Sequence, residues 1–128
     1  MSGGEIFDEY VNWANQHHWE VFSTFTFAKP TSISLAKSKL RNFIRTIEKA
    51  ENKTGLTSWY VGVESKPVVH IHALAHGVGD LDLLKKHWKN GISQVERYDN
   101  SRDGVGYVTK IIYTGEYPEC WGPLWKGE

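Results

Sequence analysis

His70 and His72 sit one residue apart in an apolar, β-branched run, residues 68 to 74. On a strand, residues i and i+2 point to the same face. Two imidazoles then stand side by side, about 7 Å apart at the backbone for a rise near 3.3 Å per residue. That spacing lets two ring nitrogens converge on one metal ion. Tyr107 and Lys110 are three apart in a segment with helical spacing, which also puts them on one face. A phenol titrates near 10 and is a poor nucleophile at neutral pH, and a neighbouring ammonium favours the phenolate. A metal-binding pair beside a tyrosine–lysine pair points to phosphodiester chemistry with a tyrosine nucleophile. Tyr98 and Tyr113 are the rival nucleophiles, but Tyr113 has Glu116 where Tyr107 has Lys110.

Glu64 adds a third donor on a condition. It precedes Ser65, Lys66 and Pro67, and directly opposed residues of a hairpin share a face. A three-residue turn places Glu64 beside His70 and His72, whereas a two-residue turn places it on the other face. Two imidazoles and a carboxylate with open positions suit Mn²⁺ or Mg²⁺, water and phosphate completing the shell. Zinc fits the same donors. His76 continues the alternation but ends the strand before Gly77. It reads as a surface or DNA-contacting histidine, not a ligand. His17, His18 and His87 lack a partner pattern and read as structural or solvated.

These residues need a scaffold, and the remaining periodicity supplies one. Residues 4 to 18 form a short helix with Ile6, Tyr10, Trp13 and Ala14 as its apolar stripe. Residues 20 to 28 alternate apolar and hydroxyl side chains, as a half-buried strand does. Pro30 ends that strand, and Thr31 or Ser32 caps a helix to about Asn52 with Ala36, Leu40, Phe43, Ile44 and Ile47 inward. Strands follow at Leu56 to Glu64 and Val68 to Ala75, a helix from Asp80 to about Lys89, and a strand from Ile92 to Tyr98. A last helix starts at Asn100 or Ser101 and carries Tyr107 and Lys110, and an irregular tail runs from about residue 115. Adjacent strands on short turns pair antiparallel. The class is therefore α+β, a central antiparallel sheet of about four to five strands with helices packed on it.

The 128 residues suffice for one domain with one core, residues 1 to 128. No apolar run is long enough to cross a bilayer and no secretory signal opens the chain, so a cytoplasmic location without a membrane partner is expected. The single cysteine, Cys120, allows no internal disulfide. Net charge is zero, against a nonspecific DNA coat. The charge is uneven, though. Residues 29 to 49 hold Lys29, Lys37, Lys39, Arg41, Arg45 and Lys49 against Glu48 alone.

The set resembles the HUH endonucleases, and among them the single-tyrosine replication initiators (Rep proteins) of rolling-circle plasmids and viruses. Three segments match in the family's order: the strand Phe22 to Phe27 with its Phe-Thr pattern, His70-Ile71-His72 with Glu64 upstream, and Tyr107-Val108-Thr109-Lys110. The segment Trp88 to Gly91 is also similar. The resemblance spans roughly residues 20 to 113. Ile111 and Ile112 depart from the aromatic and second lysine that often follow, which leaves the subfamily open.

The resemblance implies a metal-dependent nickase and ligase that binds single-stranded DNA, often at a hairpin origin. Tyr107 would attack a backbone phosphate, form a 5′-phosphotyrosine link and free a 3′-hydroxyl to prime replication. Lys110 would assist, and Glu64, His70 and His72 would bind the metal. Lys37, Lys39, Arg41 and Arg45 would hold phosphates, with His76 as a further DNA contact. No Gly-x-x-x-x-Gly-Lys-Ser/Thr loop follows, so no helicase domain is expected, and a helicase would act from the host or the replicon. The chain is either a minimal Rep protein or its nuclease domain. An insertion-sequence transposase of the single-tyrosine kind and a noncatalytic DNA-binding module of the same fold are the alternatives.

Overall fold

The computed structural model describes residues 2–126, apart from the side chains at positions 100, 125 and 126. Helices and strands run α1 (Gly3–Ala14), β1 (Val21–Phe25), α2 (Ile33–Ala50), β2 (Ser58–Glu64), β3 (His70–His76), α3 (Leu81–His87), β4 (Ser93–Arg97), α4 (Gly104–Thr109) and β5 (Glu119–Trp121). Short 3-10 turns occupy Asn100–Arg102, Lys110–Thr114 and Pro123–Lys126. Cap chemistry starts the first three helices. Ser2, Ser32 and Asp80 each accept a hydrogen bond from a backbone N–H of the first turn, and Ser2 with Glu5 closes a capping box.

The five strands form one antiparallel sheet in the order β4-β1-β3-β2-β5. β1 and β2 run the same way with α2 between them, and β3 fills the slot they leave, a split β-α-β arrangement. β3 is therefore the middle strand. Its alternate residues enter two different cores. Ile71, Ala73 and Ala75 join Phe25, Trp59 and Val63 against Leu40, Phe43 and Ile47 of α2 and Leu84 of α3. Leu74 joins Tyr60 against Ala14 of α1 and Val105 and Val108 of α4 on the opposite face. His70 and His72 share that second face with Leu74, since successive strand residues alternate sides. The α+β class read from the sequence is the one observed.

Three expectations are corrected. The chain beyond 115 is not irregular throughout, because β5 pairs Trp59, Tyr60 and Val61 with Trp121, Cys120 and Glu119. Three residues are too few to show a period, and what fixes them is tertiary. Lys37 and Arg41 pair with Glu119, and the Arg41 guanidinium lies 4.4 Å above the Trp121 ring. The first helix stops at Ala14, short of residue 18. The last helix is broken, since Asp103 takes φ 51 and caps α4 by accepting from the Gly106 N–H, and the coil tightens to 3-10 at Lys110. Tyr107 and Lys110 still share a face because residues three apart eclipse in a 3-10 turn. Among the described residues no helix is long and apolar enough to cross a membrane.

One contact sets the height of α4 over the sheet. Gly62 of β2 lies under the Val108 carbonyl, and a Cβ at position 62 would come within 2.6 Å of that oxygen. Gly62→Ala is expected to lift α4 and cost about 1–3 kcal/mol by overpacking. Gly4→Ala, where the nearest atom is 3.9 Å away, serves as the control and is expected to be close to neutral. Urea unfolding midpoints of the two variants check this.

Candidate metal centre and nucleophile

The β2–β3 connection answers the question of the turn. Glu64 lies opposite His70, and Gly62 opposite His72, so five residues separate Glu64 from His70. An odd count gives the same parity as the three-residue turn, and Glu64 joins the histidines. Glu64 Oε2 is 3.3 Å from His70 Nε2, and Glu64 Oε1 is 3.5 Å from His72 Nε2. One donor atom from each of the three residues lies within 4.8 Å of the others, a group that could hold a metal ion.

Hydrogen bonds behind the histidines orient their free nitrogens. His70 Nδ1 lies 2.7 Å from the Val68 carbonyl. A carbonyl only accepts, so Nδ1 carries the proton and neutral His70 presents a lone pair at Nε2. His72 Nδ1 meets the Thr24 hydroxyl at 3.1 Å from the neighbouring strand β1. This is the backing that metal-ligating histidines use. His72 is 5 % exposed, and burial, opposed by Glu64, pushes its pKa down to about 4. It is thus neutral and ligand-ready at physiological pH.

The front of the cluster lacks partners. His72 Nε2 and Glu64 Oε1 are buried with no hydrogen bond, which costs about 1–3 kcal/mol for each such group. Lys110 Nζ stands 3.2 Å from Glu64 Oε1, within ion-pair distance but outside hydrogen-bonding geometry. Two acceptors converging from different strands suit a cation better than they suit each other. The residues present therefore fit a metal by chemistry as well as by spacing.

Tyr107 stands directly beside this cluster. Its ring is 4.6 Å from the His72 ring, nearly perpendicular at 85°, and 6.1 Å from Phe22. Lys110 Nζ sits 3.8 Å from the Tyr107 ring centroid while it also faces Glu64, so one ammonium links phenol and carboxylate. Tyr107 is 47 % exposed. The rival Tyr113 stacks on Phe7 of α1, and Tyr98 packs against Gly104. Beside Tyr107 a cavity of about 200 Å³ is lined by Phe22, Tyr98, Arg102 and Glu96, and a second groove continues over Thr24 and Gln94 to Lys85.

The other expected site residues lie elsewhere. His76 is at the far end of β3, with Nδ1 2.8 Å from the His18 carbonyl and 3.6 Å from Glu20. Lys37, Lys39, Arg41 and Arg45 belong to α2, across the sheet from Tyr107. Lys37 and Arg41 are engaged by Glu119, Arg45 by Asn42 and Lys39 by Asn90. The structure does not bring these four basic residues to the cluster. Sequence reading missed Thr24, Phe22 and Gly62. Thr24 and Phe22 stood within the Phe-Thr strand, but only the β1–β3 register shows which hydroxyl meets a histidine. The role of Gly62 had no signal in the sequence.

No family profile matches the chain, and no curated protein matches it. Among solved structures it is similar to the crystal structure of the hypothetical protein ORF119 from Sulfolobus islandicus rod-shaped virus 1. The TM-score is 0.54 at 17% identity, over 85% of this chain and 92% of that one. At that identity the likeness shows a shared fold.

Two outcomes follow from the cluster. Mn²⁺ is expected to raise the melting temperature of the wild-type protein, by a linkage worth about 2.7 kcal/mol at a hundredfold excess over Kd. Glu64→Gln or His72→Gln should remove most of that shift in the same melting experiment. Without metal, the depressed pKa of His72 makes stability pH-dependent. Between about 6.5 and about 4 the unfolded chain takes up a proton that the folded site refuses. The contribution is complete above 6.5 and is lost as pH falls towards 4, on the order of 3 kcal/mol. Urea midpoints across this interval should fall less for His72→Gln than for wild type, and parallel curves would contradict the assignment.

Proposed function

We propose that the protein is a metal-dependent single-stranded DNA endonuclease and strand transferase of the HUH type, which nicks a replication origin through Tyr107. The observation that carries this reading is an exposed tyrosine set edge-on against a largely buried two-histidine, one-glutamate cluster, with a single lysine spanning both. Glu64, His70 and His72 are the residues that would hold the ion, Mn²⁺ or Mg²⁺. Such an ion supplies polarisation of the scissile phosphate and neutralises its charge.

The chain's own groups account for the rest of the reaction. The Tyr107 oxygen attacks phosphorus, a Tyr–O–P bond forms, and the P–O3′ bond breaks. The phenolic proton leaves for solvent, and the departing 3′-oxygen takes one up, leaving a 5′-phosphotyrosine and a free 3′-hydroxyl. The exchange conserves one phosphodiester for another, so joining is the same step in reverse and no nucleotide cofactor is needed. A cation held at the cluster would share the Glu64 carboxylate with the Lys110 ammonium, 3.2 Å from Oε1. The Lys110 ammonium, 3.8 Å from the Tyr107 ring centroid, is placed to stabilise the charge that builds on the phosphoryl oxygens.

A buried cluster that recruits only three ligands from the protein leaves room for phosphate oxygens and water. Phe22 and the groove over Thr24 and Gln94 offer the uncovered face of β1 and β4 for an unpaired strand. Single-stranded DNA at a hairpin origin, a helicase supplied from another chain and the cytoplasm of a host cell complete the reading.

The test incubates the protein and Mn²⁺ with single-stranded oligonucleotides tiled across its own replicon, followed by a denaturing gel. A protein band shifted by one DNA fragment is expected. Tyr107→Phe should abolish it while oligonucleotide affinity stays within about twofold, and Lys110→Ala should slow it by about 10²-fold. Tyr113→Phe should retain it. A shifted band that persists in Tyr107→Phe would overturn the nucleophile assignment.

A further inference from the structure

The basic residues outside the cluster are not equivalent. Lys37 and Arg41 of α2 spend their charge on Glu119. On the other flank of the same helix, Lys39 turns towards the loop between α3 and β4, where its contact is the Asn90 side-chain oxygen at 3.4 Å. There Lys29, Lys39 and Lys89 line one concavity of about 190 Å³ together with Phe27, Thr31 and Asn90. No acidic residue lines it, and among the described residues none of the three lysines has a carboxylate partner. Three like charges around one hollow repel each other, and no carboxylate among the described residues relieves them.

The frame of this hollow is rigid. The Ala28 N–H donates to the Asn90 carbonyl at 2.8 Å, and the Thr26 N–H to the Ile92 carbonyl at 2.9 Å. The Ile92 N–H donates to the Thr26 hydroxyl at 3.0 Å, and the Trp88 indole N–H to the Thr26 carbonyl, also at 3.0 Å. Gly91 makes the crossing possible, since a Cβ there would stand 2.2 Å from the Thr26 oxygen. The hollow also lies at the right end of the sheet. It follows the C-terminal end of β1, and β1 pairs Phe25 with Ile71 and Thr24 with His72. Phe27 packs with the core under α2, so the hollow opens on the α2 side of the sheet, while the groove over Thr24 and Gln94 reaches Ser93, Val95 and Lys85 at the edge strand β4.

We propose that Lys29, Lys39 and Lys89 form a phosphate-binding pocket that holds a backbone phosphate of the single strand at a distance from the scissile one. The phosphate supplies the missing anion, and the strand between the two points passes from the Tyr107 face over the edge strand β4, along the groove that ends at Lys85. This rests on the DNA-nicking reading for the identity of the strand. The pocket anchors the strand without reading its sequence, since phosphate contacts position and do not specify.

The test measures affinity for a fluorescent single-stranded DNA oligonucleotide by anisotropy over a range of salt concentrations, beside the adduct gel. The triple variant Lys29→Gln, Lys39→Gln, Lys89→Gln is compared with wild type and with Lys37→Gln, Arg41→Gln. Melting curves establish that each variant is folded. Each phosphate contact to a single strand contributes about 0.7 to the slope of log K against log salt. The triple variant should lose at least about that much slope and bind about tenfold more weakly at low salt. The Glu119-paired double variant should keep both values. Unchanged affinity and slope in the triple variant, with wild-type adduct present, overturns the pocket and leaves the nicking reading standing. Loss of affinity and slope in the triple variant, with no wild-type adduct on any oligonucleotide, supports the pocket and overturns the nicking reading. An equal or greater loss with an RNA oligonucleotide, and none with DNA, overturns the assignment of the strand.

Discussion

Two buried acceptors that face each other without a hydrogen bond are the constraint on which this structure turns. His72 Nε2 and Glu64 Oε1 lie on neighbouring strands, on the same sheet face, and neither is hydrogen-bonded. Leaving them so costs stability, and the Lys110 ammonium 3.2 Å from Glu64 Oε1 offsets only the carboxylate's share. The fold nevertheless enforces the arrangement. β3 is the middle strand, Thr24 and the Val68 carbonyl hold the ring backs, and the Glu64–His70 register fixes the carboxylate. Acceptors held convergent in this way are preorganised for a cation.

The same register decides what stands beside the cluster. Gly62 faces His72 and lets α4 descend until the Val108 carbonyl almost touches the sheet. Tyr107 and Lys110 flank Val108 in sequence, so this contact sets the height of both. Phenol, ammonium and carboxylate then form a chain from solvent to the buried cluster. The half-exposed tyrosine and the nearly sealed histidine are only 4.6 Å apart, ring to ring.

Much of this was legible in the sequence. Period-two runs marked β1 and β3, the apolar stripe from Ala36 to Ile47 marked α2, and parity alone put His70 and His72 on one face. Glu64 was legible only up to the length of the turn. The helix through Lys110 was misread because one αL residue, Asp103, interrupts it without changing the spacing of Tyr107 and Lys110. β5 escaped because three residues have no period, and its partners, Arg41 and Lys37, come from distant sequence. Positive charge on α2 was visible, but a helix pattern does not say which sheet face the helix covers. The choice of face separates Lys37 and Arg41 from the cluster.

The central claim is that Glu64, His70 and His72 form a metal centre beside the tyrosine. Crystals grown with Mn²⁺ and examined by anomalous scattering at the manganese edge test it most directly. One strong peak bounded by a Glu64 carboxylate oxygen, His70 Nε2 and His72 Nε2 is expected, absent in Glu64→Gln. No peak there at saturating Mn²⁺, with Glu64, His70 and His72 ordered and convergent, would rule the metal centre out.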